Sequence, residues 1–365
     1  MKSCFIFGTR PEVIKIAPVI LYFKDRNEET ITIATAQHRE MMDMMVEVFN
    51  IKLDYDLNVM TQNQSLNMIV SRVMERLEAV LVKEKPDIVF VQGDTTTAFT
   101  ASLCAFHLSI PVAHIEAGLR SNNLYDPFPE ELNRRLIDVS CKYLFAPTKR
   151  AKENLLREGV EESRIFVVGN TVIDALKLIR ERVDMVSLRK ELIDSDGYIL
   201  MTLHRRENIG EKMKSILAAT IKFVRENDLK VVFPVHKNPK VREIVNQVID
   251  DNPDFVLMEP VDYLHFLSLL DGAKFVLTDS GGIQEEAPSF KKFVVVTRQT
   301  TERPELIEAG LGILAGTSFD TVYEALNEAY KKKVDFVENP FGDGRTSERI
   351  YKIMRGDTTW RSEWL

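Results

Sequence analysis

At 365 residues the chain is too long for one ordinary core and fits two domains. Its 45% hydrophobic and 28% charged residues are those of a soluble globular protein, which excludes a fibrous or disordered chain. The formal net charge of −7 argues against nucleic acid or an anionic membrane as partner, so an anionic ligand must be drawn in by local arginines and backbone amides.

Short apolar runs alternate with amphipathic stretches, the pattern of an α/β protein whose parallel sheets carry helices on both faces. In the first half, strands are predicted at Ser3–Phe7, Ile31–Thr35, Ile88–Gln92, Val112–Ile115, Tyr143–Ala146 and Ile165–Val168. Apolar residues at Leu66, Ile69, Val70, Val73, Met74, Leu77, Val80 and Leu81 repeat with a helical period, and a second helix follows Pro129. The plan then recurs. Strands are predicted at Ile199–Thr202, Val231–Val235, Phe255–Met258, Phe275–Thr278, Phe293–Val296 and Gly312–Leu314. Helices fill Glu211–Glu226, Val241–Ile249, Tyr263–Leu270, Ile283–Pro288 and Thr321–Lys331. The domains expected are 1–170 and 171–345, with a terminal segment 346–365 whose helix, Thr346–Met354, returns to the first domain.

Cys4, Cys104 and Cys141 form no CxxC pair and lie in or beside apolar runs, as buried thiols of a reducing compartment do. The N-terminus lacks a signal-peptide pattern, and no apolar run approaches the ~20 residues that span a bilayer. A cytoplasmic protein is expected.

Open parallel sheets bind ligands beyond the carboxyl ends of their strands, so the polar clusters that follow strands carry the functional reading. Gly8-Thr9-Arg10-Pro11-Glu12, then Lys15, follow the first strand. They read as an anion site built on a helix start, or plainly as a charged turn. Gly93-Asp94-Thr95 and Glu116-Ala117-Gly118 end neighbouring strands, and Glu130 opens the helix after Pro129. Asp94 reads plainly as a helix cap and Glu130 as a first-turn acid. Three carboxylates on one rim, however, raise one another's pKa and can divide acid and base roles. His114 is expected to share a strand face with Glu116, and His107 to pack within a helix. In the second half His204-Arg205-Arg206 ends one strand, and His236 ends the next. His204 is a candidate diphosphate ligand or proton carrier, whereas His236 reads as a loop residue bonded to backbone. Ser280-Gly281-Gly282 offer bare amides at a helix start, Glu286 lies farther along that helix, and Arg303 follows the next strand. There is no GxGxxG, HExxH or Cys/His cluster, so neither a nicotinamide cofactor nor a metal is indicated.

As an ordered set, GTRPEVIK (8–15), QGDTTT (92–97), HIEAGLR (114–120), PFPEELNRR (127–135), TLHRREN (202–208), PVHKNP (234–239), TDSGGIQEEAP (278–288) and TTERPE (300–305) resemble the non-hydrolysing UDP-N-acetylglucosamine 2-epimerases from residue 1 to the last helix. The resemblance implies two Rossmann-like domains facing across a cleft (the glycosyltransferase-B architecture), a homodimer, and no metal or nicotinamide. It implies reversible epimerisation at C2 of UDP-N-acetylglucosamine (UDP-GlcNAc) to UDP-N-acetylmannosamine (UDP-ManNAc), by way of 2-acetamidoglucal and UDP, for surface or glycoconjugate sugars. Asp94, Glu116, Glu130 and His204 take the catalytic positions. Arg10, Lys15, Ser280, Gly281, Gly282 and Arg303 serve the diphosphate and cleft, Glu286 the ribose, and Val261 and Phe266 the uracil. Gln37, His38 and Arg39 match a candidate regulatory UDP-GlcNAc segment, with an ordinary loop as the plain reading. Which carboxylate is base and which acid stays open. Three rivals stand beside this reading. They are a glycosyltransferase of the same architecture, a hydrolysing epimerase, and a non-catalytic UDP-sugar sensor.

Overall fold

The computed structural model of the chain describes residues 1–35, 39–60, 64–334 and 338–357, without the side chains of 39–41. Two compact units emerge: Met1–Leu178 with Phe341–Leu365, and Ile179–Pro340.

The first unit holds a parallel sheet of seven strands: β1 (Lys2–Phe7), β2 (Glu29–Ala34), β3 (Tyr55–Asp56), β4 (Ile88–Gln92), β5 (Val112–Ile115), β6 (Tyr143–Ala146) and β7 (Ile165–Val167). Its order is β3-β2-β1-β4-β5-β6-β7, so the direction of winding reverses between β1 and β4. That reversal is where an open sheet forms its ligand crevice. β1 and β4 pair in register from Ser3↔Ile88 to Phe5↔Phe90, and the rings of Phe5 and Phe90 stack 4.7 Å apart beneath this point. β3 has two residues and pairs with β2 alone, too short to leave a periodic signal in the sequence.

Around this sheet lie α1 (Arg10–Lys24), α2 (Arg39–Val48), α3 (Leu66–Glu84), α4 (Thr96–His107), α5 (Glu130–Ser140), α6 (Lys149–Arg157) and α7 (Thr171–Arg182). Their starts follow ordinary capping chemistry. Ser65 accepts from Met68 N on α3, Thr95 from Ala98 N on α4 and Thr148 from Ala151 N on α6, while Pro11 sits in the first turn of α1. Ile69, Val73, Leu77 and Leu81 line the buried side of α3 in a helical stripe.

The second unit repeats the scheme with six parallel strands: β8 (Ile199–Thr202), β9 (Val231–Pro234), β10 (Phe255–Met258), β11 (Phe275–Thr278), β12 (Val294–Val296) and β13 (Gly312–Leu314). Their order is β10-β9-β8-β11-β12-β13, with the reversal between β8 and β11. The helices are α8 (Met185–Leu192), α9 (Glu211–Asn227), α10 (Pro239–Ile249), α11 (Tyr263–Gly272), α12 (Gly281–Glu286), α13 (Pro304–Glu308) and α14 (Phe319–Lys331). Each unit buries its own apolar core. The doubly wound α/β class expected from the sequence is the one found.

The chain leaves the first unit inside α7 and returns at Phe341. It then enters α15 (Thr346–Met354), which packs on α1 through Tyr351, whose ring meets Phe23 at 5.2 Å and Tyr22 at 5.7 Å. Asp174 of α7 caps α15 from outside, accepting from the Thr346 and Ser347 amides at 3.2 and 2.8 Å. The buried Arg349 pairs with Asp343 at 2.6 Å and donates to the Val168 carbonyl at 3.1 Å. Among the described residues no helix is long and apolar enough to cross a membrane.

Candidate active site

In the first unit the polar residues gather where β1, β4 and β5 end. Glu116 follows β5 with φ at +72°, a left-handed conformation uncommon for a side chain of this size. The backbone is held there by the Phe145 carbonyl of β6, which accepts from Glu116 N at 3.0 Å. Its carboxylate receives Lys15 Nζ at 2.5 Å, Gln92 Nε2, and Asn170 Nδ2 at 3.3 Å. A Cβ placed on Gly93 would stand 4.0 Å from Glu116 Oε2, so Glu116 lies against the residue that precedes Asp94.

Asp94 is not the cap of α4; Thr95 is. Asp94 instead pairs with Arg134 at 2.7 Å, while Asn133 Nδ2 donates to its carbonyl at 2.9 Å. Both partners come from α5, whose first residue is Glu130, so the third carboxylate is brought to the same rim. Glu130 Oε2 is buried without a hydrogen-bond partner. Burial raises its pKa above the ordinary value and the charge of Asp94 adds to the rise, while its own backbone amide and, less strongly, Arg134 oppose it. The three acids thus stand in different surroundings. Two are held by cations, and one is disposed to keep its proton.

His114 is engaged between α5 and the turn after β4. Its Nδ1 lies 2.6 Å from Asp138 and its Nε2 lies 2.7 Å from the Gly93 carbonyl. A carbonyl only accepts, so Nε2 is the donor that fixes the Gly93–Asp94 turn. Burial opposes ionisation of Asp138, but His114 and Arg120 together hold its pKa below the usual carboxylate value. His107 is exposed on the last turn of α4 instead of packed. Lys15 is committed to Glu116, and half-buried Arg10 opens α1 at the end of β1.

Glu12 and Glu131, which the sequence shows only as members of longer motifs and assigns no role, are both fully buried here. Glu131 accepts from the Ser121 and Asn122 amides and pairs with Arg134 at 3.0 Å, stapling the loop before α5. The cue was present in both cases as an acid in a first helical turn.

In the second unit the equivalent crevice opens where β8 and β11 end. Asp279, fully buried, accepts from the His204 and Arg205 amides at 3.1 and 3.0 Å and from Asn208 Nδ2 at 3.1 Å. His204 Nδ1 lies 3.2 Å from the same carboxylate, and the His236 ring stacks on His204 with centroids 5.9 Å apart. Burial lowers the His204 pKa below its ordinary value, with Arg205 and His236 adding to this and Asp279 opposing it. His236 itself is exposed and accepts from Asn238 N at 3.1 Å, as its plain reading expects.

The three amides of Ser280–Gly282 are not all bare. Ser280 N donates to Thr278 Oγ1 at 3.0 Å, because the strand-end threonine closes the turn onto it. Above Gly281 two cations meet. A Cβ there would stand 3.9 Å from both an Arg205 and an Arg303 guanidinium nitrogen. Glu285 offsets one of them, accepting from Arg303 Nε at 2.6 Å. Two guanidinia over a glycine at a helix start form an electropositive cradle. Glu286 is buried beside Tyr263, whose hydroxyl donates to it at 2.8 Å, which joins Glu286 to the Val261–Phe266 segment. Within that segment Asp262 caps α11 and leaves Val261 and Phe266 half-buried on either side. Gln37 and His38 lie outside the described residues, as does the side chain of Arg39. Among the described residues, no three His, Cys, Asp or Glu side chains are grouped as metal ligands would be.

The family model for UDP-N-acetylglucosamine 2-epimerase matches residues 22–355. The chain belongs to this family. It is 45% identical to the UDP-N-acetylglucosamine 2-epimerase of Escherichia coli K12, covering 98% of this chain and 99% of that protein. The crystal structure of the Neisseria meningitidis enzyme bound to UDP-GlcNAc is similar with a TM-score of 0.88 and 44% identity over 98% of this chain and 100% of that one. The Methanocaldococcus jannaschii enzyme in complex with UDP-GlcNAc and UDP gives 0.83 and 39%, covering 98% of this chain and 100% of that one. The expectation of an enzyme of the UDP-N-acetylglucosamine 2-epimerase family, carried by its ordered motifs, stands.

Proposed function

We propose that the chain interconverts UDP-GlcNAc and UDP-ManNAc by elimination and re-addition of UDP. The observation that carries this reading is the set of three carboxylates in unlike surroundings, Asp94 and Glu116 after β4 and β5 and Glu130 at the start of α5. A carboxylate takes the proton from C2, the C–H pair becomes the C1=C2 double bond, and the C1–O bond breaks with its pair leaving on UDP. The other carboxylates act in the return step, when UDP adds back to C1 and C2 gains a proton on its opposite face. Glu130, whose burial favours the protonated acid, suits the donor. Asp94 and Glu116, each held by a cation, suit the basic role.

The second unit supplies the nucleotide contacts in this proposal. Arg303 and the Gly281–Gly282 turn take the diphosphate with Ser280 framing the turn, and His204 with Arg205 stabilises the charge gathering on the departing UDP. Glu286 takes the ribose hydroxyls, and Val261 and Phe266 take the uracil. Within the first unit, Arg10 is the anion contact, and Lys15 holds Glu116 in place. The enzyme works as a homodimer, a reading supported by the exposed row Leu132, Leu136 and Val139 along α5. Its product serves surface or glycoconjugate sugar synthesis.

The test is incubation of the chain with UDP-GlcNAc, without added metal or nicotinamide, followed by proton NMR. The anomeric signal of UDP-ManNAc is expected to grow to an equilibrium mixture. Free N-acetylmannosamine with UDP would place the chain among hydrolysing epimerases, and unchanged UDP-GlcNAc would favour a transferase or a sensor.

A further inference from the structure

In each unit a fully buried acid bridges the two strand-end turns that flank the reversal of strand order. In the second unit it is Asp279, which ends β11 and holds the amides that follow β8. In the first it is Glu12, on the first turn of α1. Glu12 Oε2 accepts from Gly8 N at 3.0 Å and from Thr9 Oγ1 at 2.8 Å, both in the turn after β1. Its Oε1 accepts from Thr95 Oγ1 at 2.7 Å, in the turn after β4. The residue after Thr9 is Arg10, and the residue before Thr95 is Asp94. Two turns that diverge to opposite sides of the sheet are thus tied by one carboxylate.

We infer that Glu12 is a positioning residue, a staple across the switch point that sets the places of Arg10 and Asp94 for the reaction. The inference rests on the function proposed above. A staple kept only for stability would be a poor choice here. Burial pushes the Glu12 carboxyl up to about 7, so the ionised form that accepts all three bonds is held against its own desolvation. The protonated form has one oxygen turned donor, and Thr95 Oγ1, already accepting from Ala98 N, is the atom it would face.

The groups that face the carboxylate are Gly8 and Thr9 of its own turn and Thr95 of the next. Nearby charges are engaged elsewhere: Lys15 with Glu116, Asp94 with Arg134, and Arg345 before α15 and Lys352 within it with Glu348. On α2, Asp43 is half-buried and Glu47 exposed, and Arg10 stands two residues ahead of Glu12 on α1.

The experiment compares kcat and KM for UDP-GlcNAc across pH about 5 to 9 in the wild type, Glu12→Gln and Thr9→Val, all as full chains. Glu12→Gln is expected to keep KM within about twofold, to lower kcat roughly tenfold or more, and to lose the limb of kcat near pH 7. Thr9→Val removes one donor of near-equal shape and is expected to move that limb to higher pH while leaving the fold intact. A Glu12→Gln profile that superimposes on the wild type overturns the inference. So does a Thr9→Val limb that does not move. A wild type that does not turn over UDP-GlcNAc at all sinks the proposed function itself, which is a separate result.

Discussion

Glu12→Gln should also change how stability depends on pH, and the size of the effect follows from the site. The Glu12 carboxyl has an ordinary value of 4.5 and is pushed to about 7 in the fold, first of all by burial. The folded chain therefore binds a proton more tightly than the unfolded chain between these values. By linkage, the stabilising contribution is fully present below pH 4.5 and is lost as pH rises to about 7. At ~1.4 kcal/mol per pH unit the loss is about 3 kcal/mol, which is about 6–12 °C in the melting temperature of a unit of this size. The assay is thermal unfolding of wild type and Glu12→Gln at a series of pH values. The wild-type melting temperature should fall relative to the variant from mildly acidic to mildly alkaline pH, because glutamine carries no charge to desolvate. Parallel curves for the two proteins would refute the assignment of a near-neutral titration to Glu12.

Other outcomes follow from the same contacts. Asp94→Asn, Glu116→Gln and Glu130→Gln should each lower kcat by roughly a hundredfold or more while UDP affinity, measured by calorimetry, changes little. Arg303→Ala should weaken UDP binding about tenfold or more, by loss of one of the two guanidinia over Gly281, with the fold retained by far-ultraviolet dichroism. Asp174→Ala should uncap α15 and lower stability by about 1–2 kcal/mol, seen as earlier proteolysis at the C-terminal end. Leu136→Glu on the exposed row of α5 should shift sedimentation from dimer to monomer.

The strand skeleton was legible because each buried parallel strand is a short apolar run with turn residues at both ends. Seven predicted strands, among them Ile88–Gln92, Val112–Ile115 and Gly312–Leu314, have the bounds found. β3 was not legible, since two residues on a sheet edge carry no period. Strand-end residues are the natural site candidates in the sequence, and the structure gathers Asp94, Glu116 and Glu130 on one rim. Their partners escaped notice for a physical reason. Arg134, Gln92 and Asn170 lie 40, 24 and 54 residues from the acids they hold, and pairing over such separations leaves no local pattern. Caps misled in one case, where Asp94 and Thr95 are both good cap residues and only the fold chose Thr95. By sequence the glycine turn at Ser280–Gly282 offers three bare amides, because the threonine that closes it, Thr278, belongs to the strand.

Removal of the C2 proton is read directly from the fate of the C2 hydrogen in deuterated water. UDP-ManNAc is expected to form with deuterium at C2, and UDP-GlcNAc recovered at equilibrium to carry it as well. UDP-ManNAc that forms with protium still at C2 would contradict removal of that proton by the carboxylates of the first unit.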